Sequence, residues 1–405
     1  MLAADHRLRR LDDAKLLFVG RRGEFDARAG SQFAHLLRSG DLIVANDAAT
    51  LPASLAGVHL RTGQPIEVRL AGRDTLSLDR VSLFTAVDFG AADFRTRTED
   101  RPRPPVLIPG DGLALGPLRG SVVRALGHRR LVSLAFEGTA PQIWEGLARH
   151  GRPIQYAHVP TPLALWDVWT SIAGPPVAFE TPSAGFALDW GALAALKANG
   201  VEFATITLAA GISSTGDAAL DARLPLNEAY RVPQSTATAI ARAKERSGRV
   251  VAIGTSVVRA LEHSAALFGG FVPSGERIAT QKIGASSLLR VVDAILTGVH
   301  EPGASHYALL RAFVDQDRLD EIQTRLNEHG FRTHEFGDFA LIERSATRRS
   351  QKTRARRHGA SHILVGAVCQ PGMLNCPASI FGGEHPISAG ALYAVCPESD
   401  VTRER

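Results

Sequence analysis

Long apolar runs are missing from this 405-residue chain. No uninterrupted stretch approaches the roughly 18–20 residues that cross a bilayer, and the opening MLAADHRLRRLDDAK lacks the apolar segment of a secretory signal. The expectation is a cytoplasmic, monomeric protein with no membrane partner. Cysteine is nearly absent, and Cys369, Cys376 and Cys396 all fall within 345–405. A cysteine-free body excludes a disulfide framework, and no Cys-x-x-Cys pair or compact His set points to a metal. Charge of one sign is also scarce. The net charge is +5, and residues 345–405 hold eight Lys and Arg against four Asp and Glu, which leaves +1 for the body. That balance excludes the broad basic footprint of a bulk nucleic-acid binder. The stretch 345–405 opens with a basic run without apolar periodicity, and is read as an ill-ordered tail.

What is present is a globular composition, 45% hydrophobic and 21% charged, with length for two or three domains. Residues 41–47 read as a short apolar strand. From 55 to 140, short alternating pieces such as IEVRL and LVSLAF are divided by Gly and Pro, the pattern of a small antiparallel β-barrel. Beyond 150 strands alternate with helices: helices at 192–199, 236–246, 257–267, 305–314 and 320–329, strands at 201–208, 250–253 and 339–342. The fold class is therefore α/β (α+β), a mixed, helix-covered sheet formed by a discontinuous body, 1–54 and 141–344, with the barrel inserted at 55–140.

Several local patterns can carry chemistry. Gly254-Thr255-Ser256 joins a buried-type strand to a helix, so free backbone N–H groups and two hydroxyls face an anion, with Arg259 about one turn on. A helix cap alone would use the same residues. It is not a Walker A loop, and no Gly-x-Gly-x-x-Gly supports a dinucleotide. Asn46-Asp47 ends a strand, where side chains face a ligand crevice or form an Asx turn. Ser183 and Gly185 lie in a tight loop that backbone and ligand could share. Glu228 and Tyr230, two apart, place a carboxylate beside a phenol if the segment is extended, or mark an ordinary sheet edge. His300 and His306 have no third ligand at metal spacing. The stretch 119–130, RGSVVRALGHRR, holds four Arg, one His and no acid, and offers Arg124, Arg129 and Arg130 to phosphates if it is more than a solvated hairpin.

In order, these pieces resemble the S-adenosylmethionine:tRNA ribosyltransferase-isomerase family of the queuosine pathway. The resemblance runs from about residue 12 to 342. It is carried by GDLIVANDAATLPASL (40–55), PSAGFAL (182–188), ITLAAG (206–211), EAYRVP (228–233), RVVAIGTSVVRALEH (249–263), RVVDAILTGVHEPGAS (290–305) and FGDFALI (336–342). It implies an α/β body with an inserted barrel. It also implies transfer of the ribosyl part of S-adenosylmethionine, a co-substrate, to a 7-aminomethyl-7-deazaguanine in tRNA. The ribosyl ring isomerises to the epoxyqueuosine product, and adenine and methionine leave. The sulfonium acidifies the adjoining ribose carbon, so a positioned base can take a proton there.

Carried over residue by residue, the resemblance implies Glu228, His300 and Tyr230 for catalysis. It puts Asp47 and Asp293 near the cationic co-substrate, Gly254, Thr255, Ser256 and Arg259 around its carboxylate, and Asn46, Ser183 and Gly185 near the acceptor. The chain departs from the family at Ala187, Ala209 and Leu226, where histidines are expected, and at Ala229, where a tryptophan is expected. Those changes remove proton-transfer groups and a stacking surface. Two alternatives stay open: a paralogue using S-adenosylmethionine on another nucleoside-like acceptor, and a non-catalytic nucleotide- or RNA-binding relative.

Overall fold

The computed structural model describes residues 1–7 and 10–346. Of the stretch read as a tail, all but Ser345 and Ala346 lie outside the described residues.

Four apolar segments, Glu202–Leu208, Leu42–Asn46, Val250–Ile253 and Ala294–Gly298, run parallel as the centre of a nine-stranded mixed sheet. Leu42–Asn46 and Val250–Ile253 are buried at every position, which is why they read as unbroken apolar runs rather than alternating ones. The alternation survives in what each residue touches. Leu42, Val44, Val250 and Ala252 pack with Ala239, Ile240, Val257 and Leu261 of the helices Gln234–Glu245 and Thr255–Leu267. Ile43, Ala45, Val251 and Ile253 pack on the other face with Ala192 and Leu196 of the helix Trp190–Ala198. On one side the sheet continues antiparallel through Glu228–Val232 and Gly275–Ala279. On the other it continues through Phe339–Glu343, Lys15–Val19 and Phe25–Ala29.

Between Ser54 and Phe136 six antiparallel strands close a barrel in the order Leu118–His128, Leu131–Phe136, Leu83–Gly90, Pro65–Gly72, Ser54–His59 and Gly112–Leu115. Its core is continuous with the body. The Phe84 ring meets Phe179 edge-on at 6.1 Å, and Ile212 and Leu220 join the same cluster. A mixed sheet with a barrel is the architecture expected from the sequence.

Two details differ from that reading. The helix expected at 305–314 spans only Ser305–Leu310, because Ala312 and Phe313 donate to the carbonyls three residues back and tighten the chain into turns. The helix Ala140–His150 is additional to the expected elements, and Thr139, Pro141 and Gln142 announce its start: Gln142 Oε1 accepts the Thr139 N–H at 2.8 Å. Among the described residues no helix is long and apolar enough to cross a membrane.

Candidate active site

Parallel strands place all their carboxyl ends on one edge, and ligands in such sheets bind beyond that edge. Here the chain leaving Glu202–Leu208 supplies Ala210 and Gly211 to a cleft, and the chain leaving Val250–Ile253 supplies Gly254, Thr255 and Ser256. Thr297, Gly298 and His300 come from the end of Ala294–Gly298. The cleft encloses about 1090 Å³ of space out to its open mouth, enough for a small-molecule ligand. Leu224, Pro225, Ile283 and Leu309 give it apolar wall.

Gly254 has φ +91°, a conformation that side chains disfavour, and its N–H donates to the Leu296 carbonyl at 2.8 Å. The following helix, Thr255–Leu267, thereby starts at the cleft, where the N–H groups of its first turn have no intrahelical acceptor. Four positions into that helix, the buried Arg259 guanidinium pairs with Glu228. The same guanidinium donates to the carbonyls of Ala279 and Gln281, both at 3.0 Å. Glu228 uses its other oxygen to accept the Gly211 N–H at 2.8 Å.

Glu180, which no local sequence pattern singles out, lines the cleft beside Thr181 and Ser183. Phe179, fully buried against the barrel, fixes its position, and the Ser213 N–H donates to its Oε2 at 3.1 Å. Burial pushes its carboxyl up to about 7, so it exchanges protons near neutral pH. His300 lines the cleft with its Nε2 2.8 Å from the Thr297 hydroxyl and its ring 4.8 Å from that of His306. Burial first, then the neighbouring His306 and His334, hold the His300 imidazole well below its ordinary value. It is therefore a neutral base at pH 7.

Of the predicted residues, Ser183, Glu228, Gly254, Thr255, Ser256, Arg259 and His300 meet in this cleft. The others do not. Tyr230 does face the same way as Glu228, toward the helix Thr255–Leu267, but it is fully buried in the core with its hydroxyl 3.0 Å from His263 Nδ1. Two residues of strand carry it away from the ligand. Asn46 is 2% exposed and ties the sheet together: its amide donates to the Leu208 carbonyl and accepts from the Leu208 N–H. Asp47 accepts from the hydroxyls of Thr205 and Thr207, at 2.9 and 2.7 Å.

Asp293 precedes the strand Ala294–Gly298, at the end away from the cleft, about 13 Å from Thr297 at ~3.3 Å per residue. There it pairs with Lys244 at 2.6 Å and Arg344 at 3.0 Å. Gly185 faces Thr170 rather than a ligand, since a Cβ there would lie 2.9 Å from the threonine methyl. Arg130 is buried in the barrel wall, donating to the carbonyls of Asp88 and Thr215 and lying 4.5 Å over the Phe89 ring. Arg124 and Arg129 remain exposed on the hairpin of Leu118–His128 and Leu131–Phe136. No signal in the sequence marked Glu180, because its role depends on burial by residues far along the chain.

Residues 1–342 match the model of the queuosine biosynthesis protein family. The S-adenosylmethionine:tRNA ribosyltransferase-isomerase of Sorangium cellulosum strain So ce56 is 32% identical, covering 82% of this chain and 92% of that protein. Its namesake from Citrifermentans bemidjiense is 30% identical over 84% of this chain and 96% of that protein. A crystal structure of S-adenosylmethionine tRNA ribosyltransferase from Thermotoga maritima matches with TM-score 0.45 and 23% identity, covering 84% of this chain and 96% of that one. A family model spanning the whole sheet and barrel, together with relatives matched over nearly their full length, shows that the chain belongs to the queuosine biosynthesis protein family.

Proposed function

We infer that the cleft performs the reaction for which the relatives are named, transferring and isomerising the ribosyl part of S-adenosylmethionine onto 7-aminomethyl-7-deazaguanine in tRNA. The observation that carries this reading is the pairing, in one cleft, of a helix N-terminus at Gly254–Ser256 with the carboxyl groups of Glu180 and Glu228. S-adenosylmethionine brings a carboxylate and a sulfonium cation. The helix end suits the first, through free N–H groups and the helix dipole. The Glu180 carboxylate suits the second, since Arg259 already offsets the charge of Glu228.

Proton handling then falls to Glu180 and His300. Removal of a proton from the carbon beside the sulfonium needs a base that is free near neutral pH, and Glu180, raised to about 7 by burial, meets that need. The C–S bond, the bond to adenine and the ring C–O bond at the carbon that takes the amine break, while a C–N bond forms to that amine, a C–C bond closes the carbocycle, and the freed oxygen closes the epoxide as methionine leaves. The amine gives up a proton as adenine takes one, and the uncharged His300 can relay that proton without retaining it. Glu228 positions rather than reacts, because Arg259 and the Gly211 N–H engage both its oxygens. In this reading Arg124 and Arg129, exposed on the barrel, contact tRNA phosphates.

A second reading, transfer to another nucleoside-like acceptor, draws on Ala187, Ala209 and Ala229. They stand where the family has two histidines and a tryptophan, and here all three are buried in apolar core. The deciding experiment incubates the protein with S-adenosylmethionine and tRNA carrying the aminomethyl-deazaguanine, then analyses nucleosides by mass spectrometry. Epoxyqueuosine with stoichiometric adenine and methionine supports the first reading. Tight S-adenosylmethionine binding without product supports the second.

A further inference from the structure

Beside the cleft, the adjacent His334 and Glu335 meet the imidazole of His158 from far along the chain. His158, His334 and Glu335 each present a donor atom within 4.8 Å of the others. The His158 and His334 rings stack at 4.5 Å, and the Tyr156 ring lies 5.9 Å from His158 on an apolar wall that includes Phe336. Nε2 of His158 and Oε2 of Glu335 are buried and have no hydrogen-bond partner among the described residues. A buried polar atom left unpaired costs about 1–3 kcal/mol, and two such atoms in one cluster of lone-pair donors invite a shared cation.

A ligating histidine commonly turns its second ring nitrogen to a carboxylate, which fixes ring and tautomer. Here His334 Nε2 faces Glu301 Oε1 at 3.6 Å, and the Thr333 hydroxyl lies 3.4 Å from the same oxygen.

The geometry points to a divalent transition-metal site in which His158, His334 and Glu335 hold one ion of the zinc(II) class. Two imidazoles and one carboxylate are the donor set of open, three-ligand sites, and they disfavour magnesium and calcium, which take oxygen. Bonds of about 2.0–2.2 Å require the donors to close in by roughly an ångström, within reach of side-chain rotation. The site adjoins the cleft: Glu180 acts on Glu335, and His334 acts on the cleft residue His300. It does not depend on the transfer reaction proposed above, and its test does not read that reaction.

The test is titration of the chelator-treated full chain with cobalt(II), followed by visible absorption and by competition with zinc(II). One cobalt per chain is expected, with d–d bands of low coordination number and no thiolate charge-transfer band, which separates this site from the cysteines at 369, 376 and 396. His158→Asn and Glu335→Gln should each weaken binding at least tenfold, with circular dichroism unchanged. Glu301→Gln should weaken it by about 10–100-fold, the effect usual for an outer-shell partner. Should one variant fail to fold, the other two still decide. Failure of the wild-type chain to bind cobalt, or equal affinity in the folded variants, overturns the site.

Discussion

The Glu228 carboxylate and the Arg259 guanidinium pair out of solvent at the edge of the cleft, one from a sheet strand and the other from the helix that starts in the cleft. One step deeper, Tyr230 and His263 repeat the contact between the same two elements. Removing one partner of a buried pair strands the other and costs about 3–5 kcal/mol. Arg259→Met also deprives the Ala279 and Gln281 carbonyls of a donor. We expect that variant to lose about 3–5 kcal/mol in urea unfolding, and Glu228→Gln to lose less, since the amide still accepts the Gly211 N–H. The double variant should cost less than the sum of the two. Strictly additive costs would show that the pair is not coupled.

Glu180 makes a prediction about pH. Its folded value of about 7 lies above the ordinary 4.5, so between those values the folded chain holds a proton that the unfolded chain has lost. Its contribution to stability is therefore full below about 4.5 and lost as pH rises through about 7, a change of roughly 3 kcal/mol. Activity should run the opposite way, kcat/KM rising through about pH 7 as the base is freed. Glu180→Gln should flatten this part of the stability curve and abolish turnover. An unchanged pH–rate profile in that variant would remove Glu180 from the mechanism.

The sheet and barrel were legible because their signals are local. Buried parallel strands read as unbroken apolar runs, and closely spaced Gly and Pro mark barrel turns. The Gly254 turn was legible for the same reason, since strand, glycine and helix follow directly in sequence. Tyr230 and Asp293 show where local reading stops. Alternation gives the face of Tyr230 correctly, but not the depth that puts its hydroxyl on His263. Nothing near Asp293 in sequence tells which end of the sheet carries the ligand. Glu180 and His158 owe their properties to burial by distant segments, which a sequence does not display.

Gly254 bears on both stability and binding. At φ +91° and ψ 159°, a region essentially reserved for glycine, an alanine is disfavoured by about 1–3 kcal/mol, and its Cβ would lie 3.3 Å from that of Ala184. Gly254→Ala should lower Tm and disturb the helix end proposed to receive the S-adenosylmethionine carboxylate. Calorimetric titration should show affinity reduced about tenfold or more, equivalent to at least ~1.4 kcal/mol. Unchanged affinity with a lowered Tm would confine Gly254 to a structural role.

Three arginines of the barrel hairpin, Arg124, Arg129 and Arg130, should separate by function. Arg130 is committed to the Asp88 and Thr215 carbonyls and to the Phe89 ring, so Arg130→Ala should destabilise the barrel whether or not RNA is present. Arg124 and Arg129 are exposed, and their replacement by alanine should leave Tm within about 1 °C, since surface changes rarely exceed ~0.5 kcal/mol. If both meet tRNA phosphates, the double variant weakens tRNA binding and reduces the slope of log K against log salt by about 2, near 0.9 per phosphate on duplex RNA or less on single strands. Filter binding between 50 and 200 mM salt, about the range in which such slopes are read, measures this directly. An identical slope in wild type and double variant would move the RNA-binding face away from this hairpin.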